Sequence, residues 1–263
     1  MSNIKETECV KHQYSDDKGL AARRNLYAKH GTNKQAFSDW LWEQYDFSDS
    51  CRILELGCGN GAQWENVIDG MPCGCSVILS DFSDGMVEIV KEKYAKYQAF
   101  SFWQIDIQEI PMLDETFDGV IANHMLYHIP DLPKALSEVR RVLKAGGRFY
   151  SSTVGNGGVR SFLHEQLKRI NPDTEAFTQQ IAFNLQNGFE LLGQYFSDVK
   201  RLDFKNSLAI TETRDLVDWI ESSVSLGDIS EKEMDGLFDY FENMRKKNGT
   251  INIPIETGVF IST

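Results

Sequence analysis

Long apolar runs are missing from this chain of 263 residues, and so is any excess of positive charge. No apolar run approaches the roughly 20 residues that span a bilayer, and the segment 1–18 is too polar for a secretory signal peptide. The formal net charge is −12, whereas proteins that bind DNA or RNA usually present a basic face. These absences predict a cytoplasmic protein that has neither a membrane nor a nucleic acid as its partner.

Cysteine is also sparse, with five residues in the chain. An odd number favours free thiols in a cytoplasmic protein. Cys73 and Cys75 form one C-x-C pair with no second pair and no nearby histidine, whereas a zinc site needs about four ligands. The sequence therefore predicts no metal site.

A regular alternation of apolar strands and amphipathic helices fills the first part of the chain. It predicts strands at 52–56, 76–79, 99–104, 117–122 and 148–153. Helices are predicted at 62–68, at 84–97 with Ser83 as the N-cap, and from Asp131 to the Gly146-Gly147 pair. This order is typical of an α/β fold with a doubly wound, mostly parallel sheet. Ligands of such sheets bind beyond the carboxyl ends of the strands.

The alternation ends near residue 155. Helices are predicted over 20–29 and 34–45, over 159–195 with an interruption at Asn171-Pro172, and over 214–222 and 231–246. A strand with a loose centre is predicted over 199–210, and a last strand over 251–255 or 258–261. We therefore expect three regions: an N-terminal helical lid (1–48), a ligand-binding core (49–155), and a helical cap insertion with the last strands of the sheet (156–263).

The segment from Glu55 to Gly61 is the most informative part of the sequence, because three glycines stand at alternate positions after an apolar strand. Glycines allow the backbone to turn sharply and to approach a ligand closely. A carboxylate at Glu55 is unsuited to a loop that cradles phosphate, and it suits a ligand with a cationic or hydroxyl-bearing end. S-Adenosylmethionine (SAM), with its ammonium and sulfonium groups, is thus a better candidate than ATP or NAD, whose loop reads G-x-G-x-x-G.

Together with four later landmarks, this segment resembles the class I SAM-dependent methyltransferases over about residues 35–155. Asp81 ends the second strand, Asp106-Ile107 follow the third, and Phe117–Ile121 form the fourth. Leu143–Arg148 resembles the L-K-P-G-G turn of that family, with Ala145 in place of the proline. The resemblance implies a Rossmann-like sheet of seven strands, with SAM as the cofactor and S-adenosylhomocysteine (SAH) as its product.

The resemblance also assigns residues to the cofactor. The glycine loop and Glu55 would hold the methionine part, Asp81 would accept hydrogen bonds from both ribose hydroxyls, and Asp106 would accept one from the adenine amino group. Helix capping by Asp81, a solvated turn at Asp106 and core packing of Trp64 stay open as alternatives. The predicted cofactor residues are Glu55, Gly57, Cys58, Gly59, Gly61, Trp64, Asp81, Phe82, Met86, Asp106, Ile107, Asn123 and His124.

The segment after the fourth strand, 123–131, is expected to face the reaction. Methyl transfer depends chiefly on proximity and alignment, so no catalytic side chain is guaranteed. The segment lacks the N-P-P-Y or D-P-P-Y motif of amino-directed methyltransferases, and it resembles the loop of small-molecule enzymes of the ubiquinone and phosphoethanolamine types. His128 matches a histidine of the latter and is the predicted general base, with a structural role as the alternative. Tyr127 is a second candidate.

Acceptor specificity is predicted to reside in the segments that flank the core. The residues assigned to the acceptor are Tyr14, Arg23, Tyr27 and Phe162, and core packing is the alternative for Phe162. The predicted function is methyl transfer from SAM to an O, N, C or S atom of a small-molecule acceptor by a monomer or homodimer. A protein or peptide methyltransferase and a SAM-binding protein without transferase activity are the competing hypotheses.

Overall fold

The computed structural model describes residues 18–178, 181–222, 229 and 231–263. Its strands are β1 (Arg52–Leu56), β2 (Ser76–Asp81), β3 (Phe100–Gln104), β4 (Phe117–Asn123), β5 (Leu143–Val154), β6 (Val199–Asp203), β7 (Ser207–Ile210), β8 (Ile251–Pro254) and β9 (Thr257–Ser262). Seven of them form one sheet in the order β3-β2-β1-β4-β5-β9-β6. Strands β1 to β5 run parallel, and β9 lies antiparallel between β5 and β6. The predicted seven-stranded, mostly parallel sheet is confirmed.

Helices cover this sheet and extend beyond it. They are α1 (Lys18–His30), α2 (Phe37–Trp42), α3 (Asp84–Tyr94), α4 (Leu132–Val142), α5 (Val159–Ile170), α6 (Gly188–Leu192), α7 (Thr213–Ser222), α8 (Glu231–Met234) and α9 (Leu237–Asn248). Short 3₁₀ turns span Ala62–Trp64, Ile68–Gly70 and Leu126–His128. Within the described ranges, no helix has both the length and the apolar character needed to cross a membrane.

Helix α4 shows how the sequence produces these elements. Asp131 is its N-cap, and the carboxylate accepts a hydrogen bond from the Lys134 backbone N–H at 3.0 Å. The apolar side chains of this helix, including Leu136 and Val139, are buried in the core that covers the sheet. The helix ends at Val142 and the chain enters β5 directly, so the predicted helix end at Gly146-Gly147 is wrong. Both glycines belong to β5, near an irregularity in its pairing with β4.

Replacing the cap of α4 is expected to lower stability without touching the core. Asp131→Ala leaves the Lys134 N–H without its side-chain acceptor, so we expect the free energy of unfolding to fall by about 1 kcal/mol. Urea denaturation followed by circular dichroism measures this change. Asp131→Asn is the matched control, because asparagine caps helices about as well as aspartate. An equal loss in both variants would contradict the capping role.

Two other predicted elements are also corrected. The helix expected over 62–68 is replaced by two 3₁₀ turns, because Gly61 enters the segment with a left-handed backbone and Trp64 turns into the core. Of the described residues between 159 and 195, α5 and α6 are helical and most of the others lie in loops.

A second, smaller sheet was not predicted. The expected strand over 199–210 divides into β6 in the main sheet and β7 outside it, and β7 pairs with β8 in a two-stranded antiparallel sheet. The two alternatives predicted for the last strand, 251–255 and 258–261, are therefore both strands: β8 lies in the small sheet and β9 in the main sheet. Apolar side chains from this small sheet and from α1, α5, α7 and α9 form a separate core that includes Leu26, Leu163, Leu208, Trp219, Phe241 and Ile253.

The expectation of free thiols is wrong for two cysteines. Cys51 and Cys75 form a disulfide, with their Cα atoms 4.7 Å apart. Each directly precedes a strand, and the parallel register of β1 with β2 places Arg52 opposite Ser76, so the two cysteines are neighbours as well. Cys58 and Cys73 are free thiols, and Cys9 lies outside the described residues.

Candidate functional site

The glycine loop joins β1 to the first 3₁₀ turn at the carboxyl edge of the sheet. Gly57, Gly59 and Gly61 have φ values of 70°, 53° and 71°, a region that side chains other than glycine rarely adopt. A Cβ atom on Gly61 would lie 2.5 Å from Cε2 of Tyr94, whose hydroxyl donates a hydrogen bond to the Gly61 carbonyl at 2.7 Å. The loop conformation thus depends on glycine, and the hydrogen bond from Tyr94 of α3 stabilises it.

Glu55 lies beneath this loop and is only 2% exposed. Its Oε2 accepts a hydrogen bond from the Trp64 indole N–H at 2.6 Å. Burial raises the pKa of this carboxyl to about 7, although the bonds from Trp64 and Asn123 oppose the shift. Among the described residues, the groups that act on Glu55 include no cation. A buried carboxylate without a counter-charge is a place where a cationic ligand gains binding energy.

Asp81 ends β2 and joins the glycine loop to α3. Its Oδ2 accepts a hydrogen bond from the Gly59 N–H and its Oδ1 accepts one from the Ser83 N–H, both at 2.9 Å. Burial raises the pKa of the carboxyl, and the N–H donors oppose this. The predicted side-chain N-cap of α3 is Ser83, whose Oγ accepts from the Met86 N–H at 3.4 Å. The helix therefore has a cap other than Asp81.

Asn123 ends β4 and lies opposite Ser152 of the neighbouring strand β5, two residues before that strand ends. The Asn123 Nδ2 donates a hydrogen bond to the Tyr45 hydroxyl at 2.9 Å. This bond links the end of β4 to the segment that follows α2. Asn123 Oδ1 and Ser152 Oγ are buried and have no hydrogen-bond partner. Buried polar atoms in native proteins nearly always have partners, so both atoms point to a ligand or water at this edge.

His124 directly follows β4 with a left-handed backbone, at φ 51°. Its N–H donates a hydrogen bond to the Ser152 carbonyl at 3.0 Å, which holds the turn. Burial lowers the pKa of the imidazole to about 4, so the ring is neutral at physiological pH. The ring centroid lies 5.2 Å from that of Phe37. A strained backbone at a strand end is a feature that clusters at functional sites.

The carboxyl edge of the central strands thus collects a large part of the predicted cofactor residues: Glu55, Gly57, Cys58, Gly59, Gly61, Asp81, Asn123 and His124. Asp106 lies beyond β3, where its Oδ1 accepts a bond from the Gln108 N–H at 2.8 Å. Three other predicted residues are buried in the core beside the edge and support it from below: Trp64, Met86 and Ile107. Phe82 is half-buried and follows Asp81.

The residues predicted for catalysis and for the acceptor are more dispersed. His128 and Tyr127 share the 3₁₀ turn after β4, with ring centroids 4.6 Å apart. Tyr27 and Phe162 pack against the separate core of the small sheet. Tyr14 and the side chain of Arg23 lie outside the described residues.

Three polar or aromatic residues of the edge were missed by sequence reasoning: Tyr45, Ser152 and Phe204. Sequence reasoning could have found Ser152, because it lies near the carboxyl end of the predicted strand 148–153, and the rule that selected Asn123 applies to the carboxyl ends of all parallel strands. The other two reach the edge from the flanking segments, and no local pattern marks them.

The geometry fits one kind of ligand well. A buried carboxylate without a cation, an unpaired amide oxygen and a left-handed glycine loop suit a molecule with an ammonium or sulfonium group and with hydrogen-bond donors. SAM has this combination. Dinucleotides and nucleoside triphosphates, which bring phosphates instead, would meet the carboxylates of Glu55 and Asp81.

Comparison with known proteins agrees with this fit. Residues 54–151 match the family described as methyltransferase domain. A demethylmenaquinone methyltransferase of Symbiobacterium thermophilum is 32% identical over 144 residues, which are 48% of this chain and 56% of that protein. A sterol 4-C-methyltransferase of Caenorhabditis elegans is 33% identical over 110 residues, 41% of this chain and 32% of that protein. The chain therefore spans about a third to just over half of these curated relatives.

Solved structures share the fold. A phosphoethanolamine N-methyltransferase 2 of Haemonchus contortus, solved with SAM, has a TM-score of 0.59 at 17% identity, over 94% of this chain and 57% of that chain. The protein YcgJ of Bacillus subtilis has a TM-score of 0.55 at 17% identity, over 85% of this chain and 96% of that chain. These likenesses show the fold, and the match of residues 54–151 to the methyltransferase domain agrees with the family resemblance that the sequence predicted.

Proposed function

We propose that this chain, whose residues 54–151 form a class I SAM-dependent methyltransferase domain, transfers the methyl group of SAM to a small-molecule acceptor. The observation that carries the proposal is the buried Glu55 carboxylate, which has no cation among the described groups that act on it and lies under the glycine loop. When bound, SAM supplies a methyl group on a cationic sulfur, which keeps the electron pair of the breaking C–S bond while the acceptor atom forms the new bond.

The residues at the carboxyl edge divide the work of holding SAM. We assign Glu55 and the unpaired Asn123 Oδ1 to its cationic methionine end, because both offer acceptor atoms in a buried setting. Asp81 is assigned to the ribose hydroxyls, since its carboxylate oxygens retain acceptor capacity beyond their two backbone bonds. Asp106 and Ile107 are assigned to the adenine, beyond β3.

A small-molecule acceptor is supported by the names of the relatives, which include methyltransferases of demethylmenaquinone and of sterols. The net charge of −12 argues against a nucleic-acid substrate. Transfer assays identify the acceptor atom, whether O, N, C or S. They also decide between a small molecule and a protein or peptide as the acceptor.

Calorimetric titration with SAM and with SAH tests the donor directly. Both are expected to bind with micromolar dissociation constants to the full chain. Transfer is then measured with methyl-labelled SAM and candidate acceptors, including a peptide mixture. The absence of binding by both SAM and SAH at high micromolar concentrations would refute the donor assignment. Binding without transfer to any candidate would favour a SAM-binding protein without activity.

His128 is the proposed general base. If it takes a proton from the acceptor, His128→Ala is expected to lower kcat about 100-fold, in line with the contribution of a positioned base, while SAH affinity stays within threefold. The pH profile of kcat in the wild type should carry an acid limb that the variant lacks. A variant whose kcat and pH profile both match the wild type would leave His128 with only a structural role.

A further inference from the structure

Three aromatic rings from separate parts of the chain meet above the edge of the sheet. Phe37 and Trp40 come from α2, and Phe204 follows β6. Their ring centroids lie 5.3 to 5.6 Å apart, within the range of favourable aromatic pairs. His124 adds its imidazole against Phe37 at 5.2 Å. We call these four residues the aromatic cluster.

The position of the cluster relative to the proposed donor site follows from the register of the strands. His124 follows Asn123, and Asn123 lies on the same strand as Ile121, the partner of Glu55 in the register of β1 with β4. The cluster therefore adjoins the proposed donor site at the carboxyl edge. The unpaired Ser152 Oγ lies beside Asn123, on the same face of the sheet. A second ligand next to the donor would satisfy this hydroxyl.

The cluster is held in place and yet incompletely covered. Phe204 is buried, whereas Phe37 and Trp40 are half-buried and offer accessible surface. The loop before α2 is fastened to the β6–β7 connection, because Asn33 N–H donates to Asn206 Oδ1 at 3.0 Å. The rings thus form a preorganised surface, which reduces the entropy lost on binding.

The charges around the cluster argue against an anionic acceptor. Recognition of a phosphate or carboxylate normally uses Arg or Lys donors. Lys34, three residues before Phe37, donates to the Gly31 carbonyl at 3.1 Å, and Lys205, which follows Phe204, is exposed to solvent. Trp40 and its ring neighbours bring no charge.

The cluster itself offers no base to an alkylammonium acceptor, although aromatic rings can attract cations. An ammonium nitrogen has no free electron pair until it loses a proton. Burial lowers the pKa of His124 to about 4, so removal of that proton would fall to the proposed base His128, on the turn after β4 and outside the cluster. The neutral ring of His124 instead offers one hydrogen-bond donor and one acceptor.

We propose that the aromatic cluster is the acceptor site and binds an uncharged, planar ring system, with His124 hydrogen-bonded to a polar substituent of that ring. This rests on the proposed function, because the cluster is called an acceptor site only if the donor binds beside it. The proposal makes Phe37 and Trp40 determinants of specificity for the acceptor and not for SAM.

The test uses the full chain saturated with SAH and three probes in calorimetric titrations: 1-naphthol as the uncharged planar ring, phosphoethanolamine as the phosphorylated amine, and phenethylamine as the cationic amine. We expect 1-naphthol to bind at least tenfold more tightly than the other two. Trp40→Ala and Phe37→Ala should each weaken 1-naphthol binding at least tenfold, with SAH affinity within threefold of the wild type. His124→Ala should weaken 1-naphthol binding severalfold.

Phe189→Ala is the matched control, because Phe189 is an exposed phenylalanine on α6, 59% accessible and not in the cluster. Phe189→Ala should change neither the affinity for SAH nor the affinity for 1-naphthol. The proposal is overturned if phosphoethanolamine or phenethylamine binds as tightly as 1-naphthol, or if Trp40→Ala and Phe37→Ala, shown to be folded by their SAH binding, retain wild-type affinity for 1-naphthol. A failure of SAH to bind the wild type refutes the donor assignment instead, and the two failures are thus distinguishable.

Discussion

Asp81→Ala is expected to weaken the binding of SAH and SAM by roughly 30- to 150-fold, equivalent to about 2–3 kcal/mol. The carboxylate is proposed to accept charge-assisted hydrogen bonds from the ribose hydroxyls. It also fastens the glycine loop to the start of α3 through the Gly59 and Ser83 N–H groups. Both contributions disappear in the variant. Calorimetric titration with SAH measures the loss, and a dissociation constant within threefold of the wild type would reject the assignment.

The direct contact with the ribose can be separated from the support of the loop. Wild-type protein should bind SAH more tightly than the 2′-deoxy analogue of SAH, because one hydroxyl is missing. If Asp81 contacts that hydroxyl, the difference between the two ligands largely vanishes in Asp81→Ala, as a double-mutant cycle requires. If Asp81 acts only through the loop, both ligands weaken equally. Asp84→Ala, which alters an exposed carboxylate three residues later in the first turn of α3, should leave both affinities unchanged.

Local patterns in the sequence were sufficient to predict the frame of this site. The glycine loop, the acid that ends β2 and the polar pair after β4 are each marked by residues adjacent to an apolar strand, and parallel topology brings strand ends together. The direction in which the Trp64 side chain points was not predictable in this way. A tryptophan one turn beyond the loop can face a ligand or the core, and its bond to the buried Glu55 decides for the core.

Contacts between distant segments account for what the sequence did not reveal. The aromatic cluster joins α2 to the connection after β6, across more than 150 residues of chain between Phe37 and Phe204. Similarly, β7 and β8 pair with each other and not with the main sheet, although both read as ordinary strands. The Cys51–Cys75 disulfide was predictable in principle, because each cysteine immediately precedes a strand and those strands are adjacent in this topology.

The affinity for SAH is expected to depend on pH through Glu55. Burial raises the pKa of this carboxyl to about 7 in the protein without ligand, so below that pH it is mostly protonated and uncharged. Only the carboxylate form attracts the ammonium of the ligand, and binding therefore releases a proton at low pH. By linkage, the dissociation constant should rise about fivefold from pH 7 to pH 6 and approach a tenfold rise per pH unit below 6. At pH 5.5 it should be about 25-fold higher than at pH 7.5.

Without ligand, the contribution of Glu55 to the free energy of unfolding should fall as pH rises, whereas its contribution to SAH affinity should increase. Because the folded-state pKa of Glu55 lies above the ordinary value of 4.5, the folded state holds more protons than the unfolded state between pH 4.5 and about 7. The contribution of this group to the free energy of unfolding therefore falls as pH rises through that window. Titrations of Glu55→Gln against wild type isolate this contribution from those of the other carboxyls, including Asp81, whose pKa is also raised by burial.

Glu55→Gln is expected to bind SAH roughly 10- to 100-fold more weakly than the wild type at pH 7.5, as for the loss of a charge-assisted hydrogen bond, and to lose the dependence on pH. The amide retains an oxygen to accept the Trp64 indole N–H, so the core beneath the loop should remain intact. Glu65→Gln, which removes an exposed carboxylate paired with Lys93 on the same side of the sheet, is the control and should keep the wild-type profile. Calorimetry at pH 5.5, 6.5 and 7.5 gives both the change of the SAH dissociation constant with pH and the number of protons released on binding. A slope that persists in Glu55→Gln would assign the titration to Asp81, and it would remove Glu55 as the counter-charge on which the proposed function depends.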